Sequence, residues 1–426
     1  MFNTHPLRVS LHNEIHSRPA ERVESPMVIR HLVFALDGSQ RNASREHLCQ
    51  LLRDHHQSEP APTANHFRAD LGAFRLRWEL HTEFLSLTLF RSMNAAERQS
   101  DAAVTATALD VVPKKWLADI PGACIVNTAM AVLTADMPAA QHWLERQGDD
   151  LVVGTRVGEG QAQVFTDFTI DANGVSHWMV LDLASTPRRM GRLVQRLLEI
   201  ETYRMAALMG LPVARESGAL LARCEGELAQ LAQDIRQAAP EEEAALLDRL
   251  TRLAADVESH YAATHSRFSA SNAYFELVRK RIEDIREERM TGPQTIRGFM
   301  DRRLTPAMNT CAWAVRRQQS LSERISRMSS LLQTRVEIEQ QEATRELLHT
   351  MNERQGVQLK MQSAVEGLSV AAITYYFTGL VGYVVKGAKE QGIPLDPELT
   401  TAAAVPLIAL GVWLGVRRLH NKIMQH

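Results

Sequence analysis

Two stretches near the C-terminus lack Asp, Glu, Lys, Arg and His, and they constrain the fold more than any other feature. One covers residues 367–385 and the other residues 399–416. A helix rises about 1.5 Å per residue, so each stretch would extend roughly 27 to 29 Å, close to the thickness of the hydrocarbon core of a bilayer. Charged residues bracket both stretches, which favours a transmembrane hairpin over two buried helices of a soluble core.

Sequence on either side of the hairpin predicts its orientation. The chain begins with MFNTHPLRVS, which contains no apolar segment of signal-peptide length, so we expect residues 1–366 to stay in the cytoplasm. The basic tail, residues 417–426, is expected on the same side because positive charge is retained in the cytoplasm. Residues 386–398 then form a short outer loop.

Overall charge and cysteine usage narrow the class of protein. The chain has 48 Lys and Arg against 50 Asp and Glu, for a net charge of -2, which predicts no general affinity for nucleic acid. The 4 cysteines lie far apart in the sequence, without a C-x-x-C motif. That pattern indicates neither a zinc site nor a disulfide framework, and it suits a reducing compartment.

Residues 1–186 are predicted to form a mixed α+β domain. Alternation of apolar and polar residues, together with short apolar runs, indicates strands at 28–36, 74–80, 84–90, 123–133, 151–157, 163–170 and 176–183. Helical periodicity indicates helices at 44–56 and 139–146. Because the strands come in pairs with helices irregularly between them, an α+β sheet is favoured over a regular parallel repeat.

The remainder is predicted to be helical. Residues 187–291 read as a helical hairpin, and residues 292–366 as a stalk helix that continues into the first apolar stretch. An apolar stripe along the stalk comprises Leu321, Ile325, Met328, Leu332, Leu347, Met351, Met361, Val365 and Leu368. The stripe is narrow, which favours packing against copies of the same helix, with an intramolecular bundle as the alternative.

Two local patterns could carry chemistry. His12 and His16 are four residues apart, a spacing compatible with a metal ion on a helix, but a polar N-terminal arm packed on the sheet is the favoured interpretation. Arg77, Glu79, His81 and Glu83 share one face of a predicted hairpin if the alternation continues through its turn, and such a mixed-charge face is typical of a solvated or paired surface. The sequence contains no G-x-S-x-G, Walker lysine or H-E-x-x-H motif, so we expect no enzyme and no cofactor, with a divalent cation as the alternative.

A second set of candidates lies on the first apolar stretch. Small and polar residues recur there at helical spacing: Glu366, Ser369, Ala372, Tyr376, Gly379 and Tyr383. In a ring of subunits this stripe could line a pore, with an acidic collar at the cytoplasmic mouth. The alternative is ordinary packing between helices.

Several stretches also resemble a known family. They are LHNEIHSRP at 11–19, ETYRMAAL at 201–208, LSERISRM at 321–328, LQTRVE at 332–337 and VEGLS at 365–369. Together they resemble an uncharacterised bacterial family described as predicted membrane-anchored proteins. The resemblance implies a membrane-anchored bacterial protein and brings no activity. Together with the orientation argued above, it leads us to expect a multi-pass protein of the bacterial inner membrane with both termini cytoplasmic.

The layout is also similar to that of CorA-type magnesium channels, which have a cytoplasmic α/β domain, a long stalk helix and two C-terminal spans. The Gly-Met-Asn signature of those channels is absent, since residues 379–383 read GLVGY. The leading hypothesis is therefore a homo-oligomeric, membrane-anchored scaffold or interaction platform whose partners are the lipid bilayer and its own copies. The alternative is a CorA-like divalent-cation channel.

Overall fold

The structure, a computed structural model, describes residues 2, 4–9, 12, 20–99, 102–147, 153–390 and 396–423. The chain divides into two compact units. The first contains Met1–Arg236 and Asp248–Met328, and the second contains Gln237–Leu247 and Ser329–His426.

The first unit is organised around one mixed sheet. Its strands are β1 (Met27–Ala35), β2 (His66–Asp70), β3 (Arg75–Leu80), β4 (Phe84–Ser92), β5 (Ala123–Thr134), β6 (Val153–Val157), β7 (Ala162–Thr166), β8 (Ser176–Asp182) and β9 (Glu288–Arg289). They lie in the order β2-β3-β4-β1-β5-β8-β7-β6-β9. Only β5 and β8 are parallel neighbours among the described strands. The predicted α+β class is confirmed.

Helices account for most of the remaining described chain. They are α1 (Gln40–Asp54), α2 (Ala95–Arg98), α3 (Ala102–Thr105), α4 (Lys114–Ala118), α5 (Pro138–Gln147), α6 (Pro187–Leu208), α7 (Gly210–Gln237), α8 (Glu243–Asp284), α9 (Ile296–Glu390) and α10 (Pro397–Ile423). Two 3-10 turns lie at Ala108–Val111 and Pro240–Glu242.

The two faces of the sheet bury different elements because side chains alternate along each strand. On one face, Leu85 and Leu87 of β4 share an apolar cluster with Leu48 and Leu52 of α1. On the other face, Ile29 and Phe90 share a cluster with leucines of α6 such as Leu197. Helix α6 and the segments packed with it therefore cover the face that carries the odd-numbered residues of β1.

Most predicted elements are confirmed, with several differences. The strand predicted at 163–170 ends at Thr166, and α9 continues to Glu390, into the predicted outer loop 386–398. The short helices α2, α3 and α4 were not predicted. Strand β2 was not predicted, because HFRAD carries no apolar alternation and becomes a strand only by pairing with β3. The two-residue strand β9 is too short to leave a pattern. Within the predicted helical hairpin, α7 begins at Gly210, because Pro212 falls in the first turn, where a missing N–H costs nothing.

The apolar stripe of the predicted stalk divides into two parts. Leu321, Ile325 and Leu332 are at most 2% exposed, so the first part packs within the chain. Leu347 and Met361, in contrast, are 61% and 66% exposed. The intramolecular alternative therefore holds for the N-terminal part of the stripe and not for the C-terminal part.

Candidate functional site

A row of polar side chains crosses the sheet on the face that helix α6 covers. Strand register places each member opposite the next, in the order Arg68, Arg77, Thr88, His31, Thr128 and Ser176. All of them except Arg68 are buried. Buried polar groups are costly unless they find partners, so each member of the row needs an account of its hydrogen bonds.

An apolar row flanks the polar row on one side. It lies two residues along each strand and contains Ile29, Phe90, Met130 and Trp178. The row on the other side is mixed, because Val33 pairs with Val126 on β5 and with Ser86 on β4, and Ser86 pairs with Glu79 on β3. Polar side chains are therefore concentrated on β3 and β4 of this face, beside apolar residues of β1 and β5. Such a departure from simple core patterning marks a candidate functional site.

His31 lies at the centre of the row. Its Nδ1 is 2.9 Å from the Thr88 hydroxyl, and its Nε2 is 2.8 Å from the Thr202 hydroxyl on α6. The Thr202 hydroxyl donates to the carbonyl oxygen of Leu198, so it accepts from His31, and the proton of the ring lies on Nε2. Burial lowers the pKa of His31 to about 3, so the ring is neutral.

Next to His31, the sheet and helices α6 and α8 line a partly open cavity of about 220 Å³. The sheet contributes polar side chains to one wall: Arg77, Glu79, Ser86 and Thr88. The helices contribute the opposite wall, which includes Gln195, Glu199, Thr202, Tyr203 and Arg281. Two carboxylates and two guanidinium groups therefore face one small volume.

The ion pair on the sheet wall is incompletely satisfied. The Nη2 of Arg77 donates to the Glu79 carboxylate at 2.8 Å, and both residues are less than 10% exposed. Burial alone would raise the pKa of Glu79, but the charge and hydrogen bond of Arg77 outweigh it, so that the pKa is lowered. The buried Nε of Arg77 has no hydrogen-bond partner in the described part of the chain.

The ion pair on the helical wall is more extensively bonded. Arg281 contacts Glu199 through its Nε, and its Nη1 lies 3.2 Å from a carboxylate oxygen of Asp284. Gln195 donates to Glu199 at 2.7 Å. The two pairs cancel in charge, and with His31 neutral they leave a polar volume suited to binding and orienting a small molecule.

The strand face singled out in the sequence is part of this cavity. Arg77, Glu79 and His81 all line it. Arg77 and Glu79 are buried and paired, so for them the interpretation as a paired surface is confirmed and the interpretation as a solvated one is wrong, whereas His81 is half-buried. Glu83 lies apart, where it accepts from Arg267 and from the Tyr274 hydroxyl at 3.1 Å.

Sequence reasoning missed the other members of the cavity. Glu199 and Arg281 belong to helices more than a hundred residues later in the chain, so no local pattern joins them to β3. One signal was available, because His31 lies within the apolar run VIRHLVFAL.

Of the two predicted metal ligands, His12 does not line this cavity. His12 is exposed, and His16 falls outside the described residues. Within the described ranges, no group of three or more His, Cys, Asp or Glu residues has the geometry to hold a metal ion. All the cysteines are free thiols. The metal site at His12 and His16 stays a prediction.

The C-terminal half of α9 and helix α10 are long and apolar enough to cross a membrane. Their apolar side chains are exposed, for example Leu380 at 60% and Leu407 at 73%, which excludes two buried helices of a soluble core within this chain. Hydroxyl groups in both helices donate to the carbonyl four residues earlier: Ser369, Thr374, Thr378, Thr400 and Thr401. These hydroxyls are satisfied without water, as the interior of a bilayer requires.

The pore-lining candidates do not form one group. Tyr376, Gly379 and Tyr383 line a groove beside Thr401 of the second apolar helix. A side chain at Gly382 would meet Thr401 at 3.7 Å, so small residues allow the helices to pack closely there. Glu366 and Ser369 lie further towards the N-terminus of α9, away from this groove. That these residues line a pore stays a prediction.

The segment of α9 that precedes the first apolar stretch is uncovered. Every residue from 340 to 365 is exposed except the half-buried Gly356. Within this segment, residues recur at alternating spacings of four and three, a pattern that we call the seam: Leu347, Met351, Arg354, Gln358, Met361 and Val365. Its apolar members are between 51% and 66% exposed.

Comparison with known proteins adds a family and no activity. A family model described as protein of unknown function (DUF3422) matches residues 3–423. No curated protein and no solved structure matches the chain. The similarity of layout to CorA-type channels is therefore not supported by any match.

Proposed function

The chain belongs to this family of unknown function, DUF3422, and we propose that it is a membrane-anchored, non-enzymatic interaction protein that assembles as a homo-oligomer. The observation that carries the proposal is the exposed seam of α9, which leads directly into an exposed apolar helix. The exposed apolar side chains of the seam are stabilised by packing against a partner, and those of the apolar helix are stabilised by contact with lipid.

The partner that fits the seam is a second copy of the same helix. Spacings of four and three are those of a coiled coil, whose stripe is self-complementary when copies lie in parallel. Copies anchored through the adjacent apolar helix would be held in parallel and in register. Arg354 and Gln358 interrupt the apolar members, and polar residues in such a seam select register and subunit number.

The anchor is proposed to be a two-span hairpin in the bacterial inner membrane. Exposed Arg417 and Arg418 follow the apolar part of α10, which supports a cytoplasmic C-terminus by the positive-inside rule. With two spans, the large N-terminal part then lies on the same side, and residues 386–398 lie outside. The bilayer and further copies of the chain are the proposed partners.

The non-enzymatic part of the proposal is supported by the cavity. Both ring nitrogens of His31 are engaged in hydrogen bonds, and the low pKa removes it as a general base near neutral pH. The carboxylates of Glu79 and Glu199 are each paired with an arginine. Such groups bind and orient, and no cofactor is proposed.

The mass of the full-length protein in detergent tests the proposal. We expect a discrete oligomer by light scattering, and cross-linking between copies through a cysteine introduced at Met351. A monomer at all protein concentrations, or a full-length chain recovered without membrane, would contradict it. A matched cysteine at Asn352, one residue off the seam, is the control for random collision.

A divalent-cation channel is the second candidate function. The observation in its favour is that Tyr376 and Tyr383 are 72% and 78% exposed on the helix that the seam would bring to the centre of an oligomer. Reconstituted liposomes decide the matter. Magnesium flux that Gly379→Leu abolishes would favour the channel, and silent liposomes made from a confirmed oligomer would remove it.

A further inference from the structure

We propose that the cavity beside His31 binds a small zwitterionic molecule of the α-amino-acid class. Its carboxylate would accept from Arg77 on the sheet wall, and its ammonium group would donate to Glu199 on the helical wall. The inference concerns the first unit alone and does not depend on the anchor or on the oligomer.

The first argument is the unfilled donor on Arg77. The residue is 6% exposed, it lines the cavity, and its Nε has no partner in the described part of the chain. An unpaired buried donor on a charged group is costly, and a carboxylate that meets a guanidinium edge removes that cost.

The second argument is the balance of charge. Each wall carries one arginine and one carboxylate, namely Arg77 with Glu79 and Arg281 with Glu199. A simple anion would approach two carboxylates, and a simple cation would approach two arginines, so both meet repulsion. A zwitterion satisfies both signs at once.

The third argument is that the cavity is preformed and of suitable size. A volume of about 220 Å³ exceeds what one or two waters need and suits a molecule of a few heavy atoms. The bonds of His31 to Thr88 and Thr202 hold the sheet wall against the helical wall. Little ordering would therefore be required on binding.

Thermal unfolding and calorimetry of the full-length protein in detergent test this proposal. The probes are the common α-amino acids, each added singly, with acetate and methylammonium as separate half-molecules. We expect at least one amino acid to bind once per chain and to raise Tm by several degrees at a hundredfold excess over Kd. Acetate and methylammonium should each bind at least tenfold more weakly.

Variants locate the binding. Glu199→Gln keeps the shape of the wall and should weaken amino-acid binding at least tenfold. The double variant Arg77→Met with Glu79→Gln removes a whole ion pair and should abolish it. The matched control, Arg317→Met with Glu225→Gln, removes a distant pair whose N–O distance is 2.6 Å and should leave binding unchanged.

Four results would overturn the proposal. If no probe binds, the cavity holds water only, and if acetate binds as tightly as the amino acid, it is an anion site. Binding that survives both cavity variants lies elsewhere, and binding lost equally in the control reflects general destabilisation. Should the double variant fail to fold, the conservative Glu199→Gln decides by itself.

Discussion

The Nε2 atom of His31 lies 2.8 Å from the hydroxyl oxygen of Thr202, which joins strand β1 to helix α6 across 171 positions of the chain. That hydroxyl in turn donates to the carbonyl oxygen of Leu198 at 2.9 Å. The contact fixes the ring orientation of His31 and the position of α6 over the polar row.

We expect His31→Leu to lower the free energy of unfolding by about 2–4 kcal/mol, because two hydrogen bonds are lost and the buried Thr88 hydroxyl loses its acceptor. Thermal or denaturant unfolding measures the change. His177→Leu is the control, since His177 is 46% exposed and pairs with Asp171 at the surface. That change should cost less than about 1 kcal/mol. Equal effects of the two substitutions would contradict a special role for His31.

Acidification should destabilise the protein through the same histidine. Its pKa is lowered from 6.5 to about 3 in the folded state, so between these values the unfolded chain binds a proton that the folded chain does not. Stability therefore falls as pH drops through this window, by about 1.4 kcal/mol per pH unit. Unfolding at several pH values should show a steeper loss for the natural protein than for His31→Leu. Parallel curves would show that His31 is not the group responsible.

Charge placed on the seam should dissociate the oligomer. Leu347→Glu with Met361→Glu puts carboxylates where copies are proposed to pack, and like charges there repel. We expect a fall in mass in detergent towards the monomer. Asn352→Glu with Ser363→Glu adds the same charge to exposed positions off the seam and should leave the mass unchanged. An unaltered mass in the seam variant would remove the coiled coil from the proposal.

An arginine within the first apolar stretch should impair insertion. Phe377→Arg places a charge near the centre of that stretch, at a cost of about 2.5–3.5 kcal/mol on the insertion scale. The fraction that resists carbonate extraction from membranes should fall. Leu359→Arg adds the same side chain to an exposed position before the stretch and should have no effect. Equal extraction of both variants would count against a membrane span.

Gly191 of α6 should tolerate no side chain. A Cβ built there would lie 1.6 Å from the carbonyl oxygen of Glu21, so Gly191→Ala must displace the backbone of the N-terminal segment. We expect a loss of at least about 2 kcal/mol in unfolding free energy. A Cβ at Gly226 on α7 would meet no atom within 4 Å, so Gly226→Ala should instead raise the free energy of unfolding by about 0.5–1 kcal/mol, because alanine favours a helix. Thermal or denaturant unfolding of both variants tests the prediction. A change of the same sign in the two variants would contradict it.

The local sequence pattern predicted the secondary-structure elements of this protein better than it predicted the burial and packing partners of those elements. The run at residues 28–36 predicted β1 to within a residue, because its apolar residues are consecutive in the chain. Strand β2 was missed, since HFRAD has no alternation and owes its conformation to pairing with β3. The alternation of residues predicted that Arg77 and Glu79 share one face of β3, but it did not predict that this face is buried.

The sequence by itself determined the α+β class, the long helices and the two apolar stretches, because each depends on the order of neighbouring residues. Only the tertiary structure decided that Arg77 and Glu79 face Glu199 and Arg281 across a cavity, and that the stripe of α9 is covered near Leu321 and open near Leu347. Burial of a charged or apolar side chain depends on which distant segment packs over it. That partner is set by strand pairing and helix packing across the whole fold, which no local pattern records.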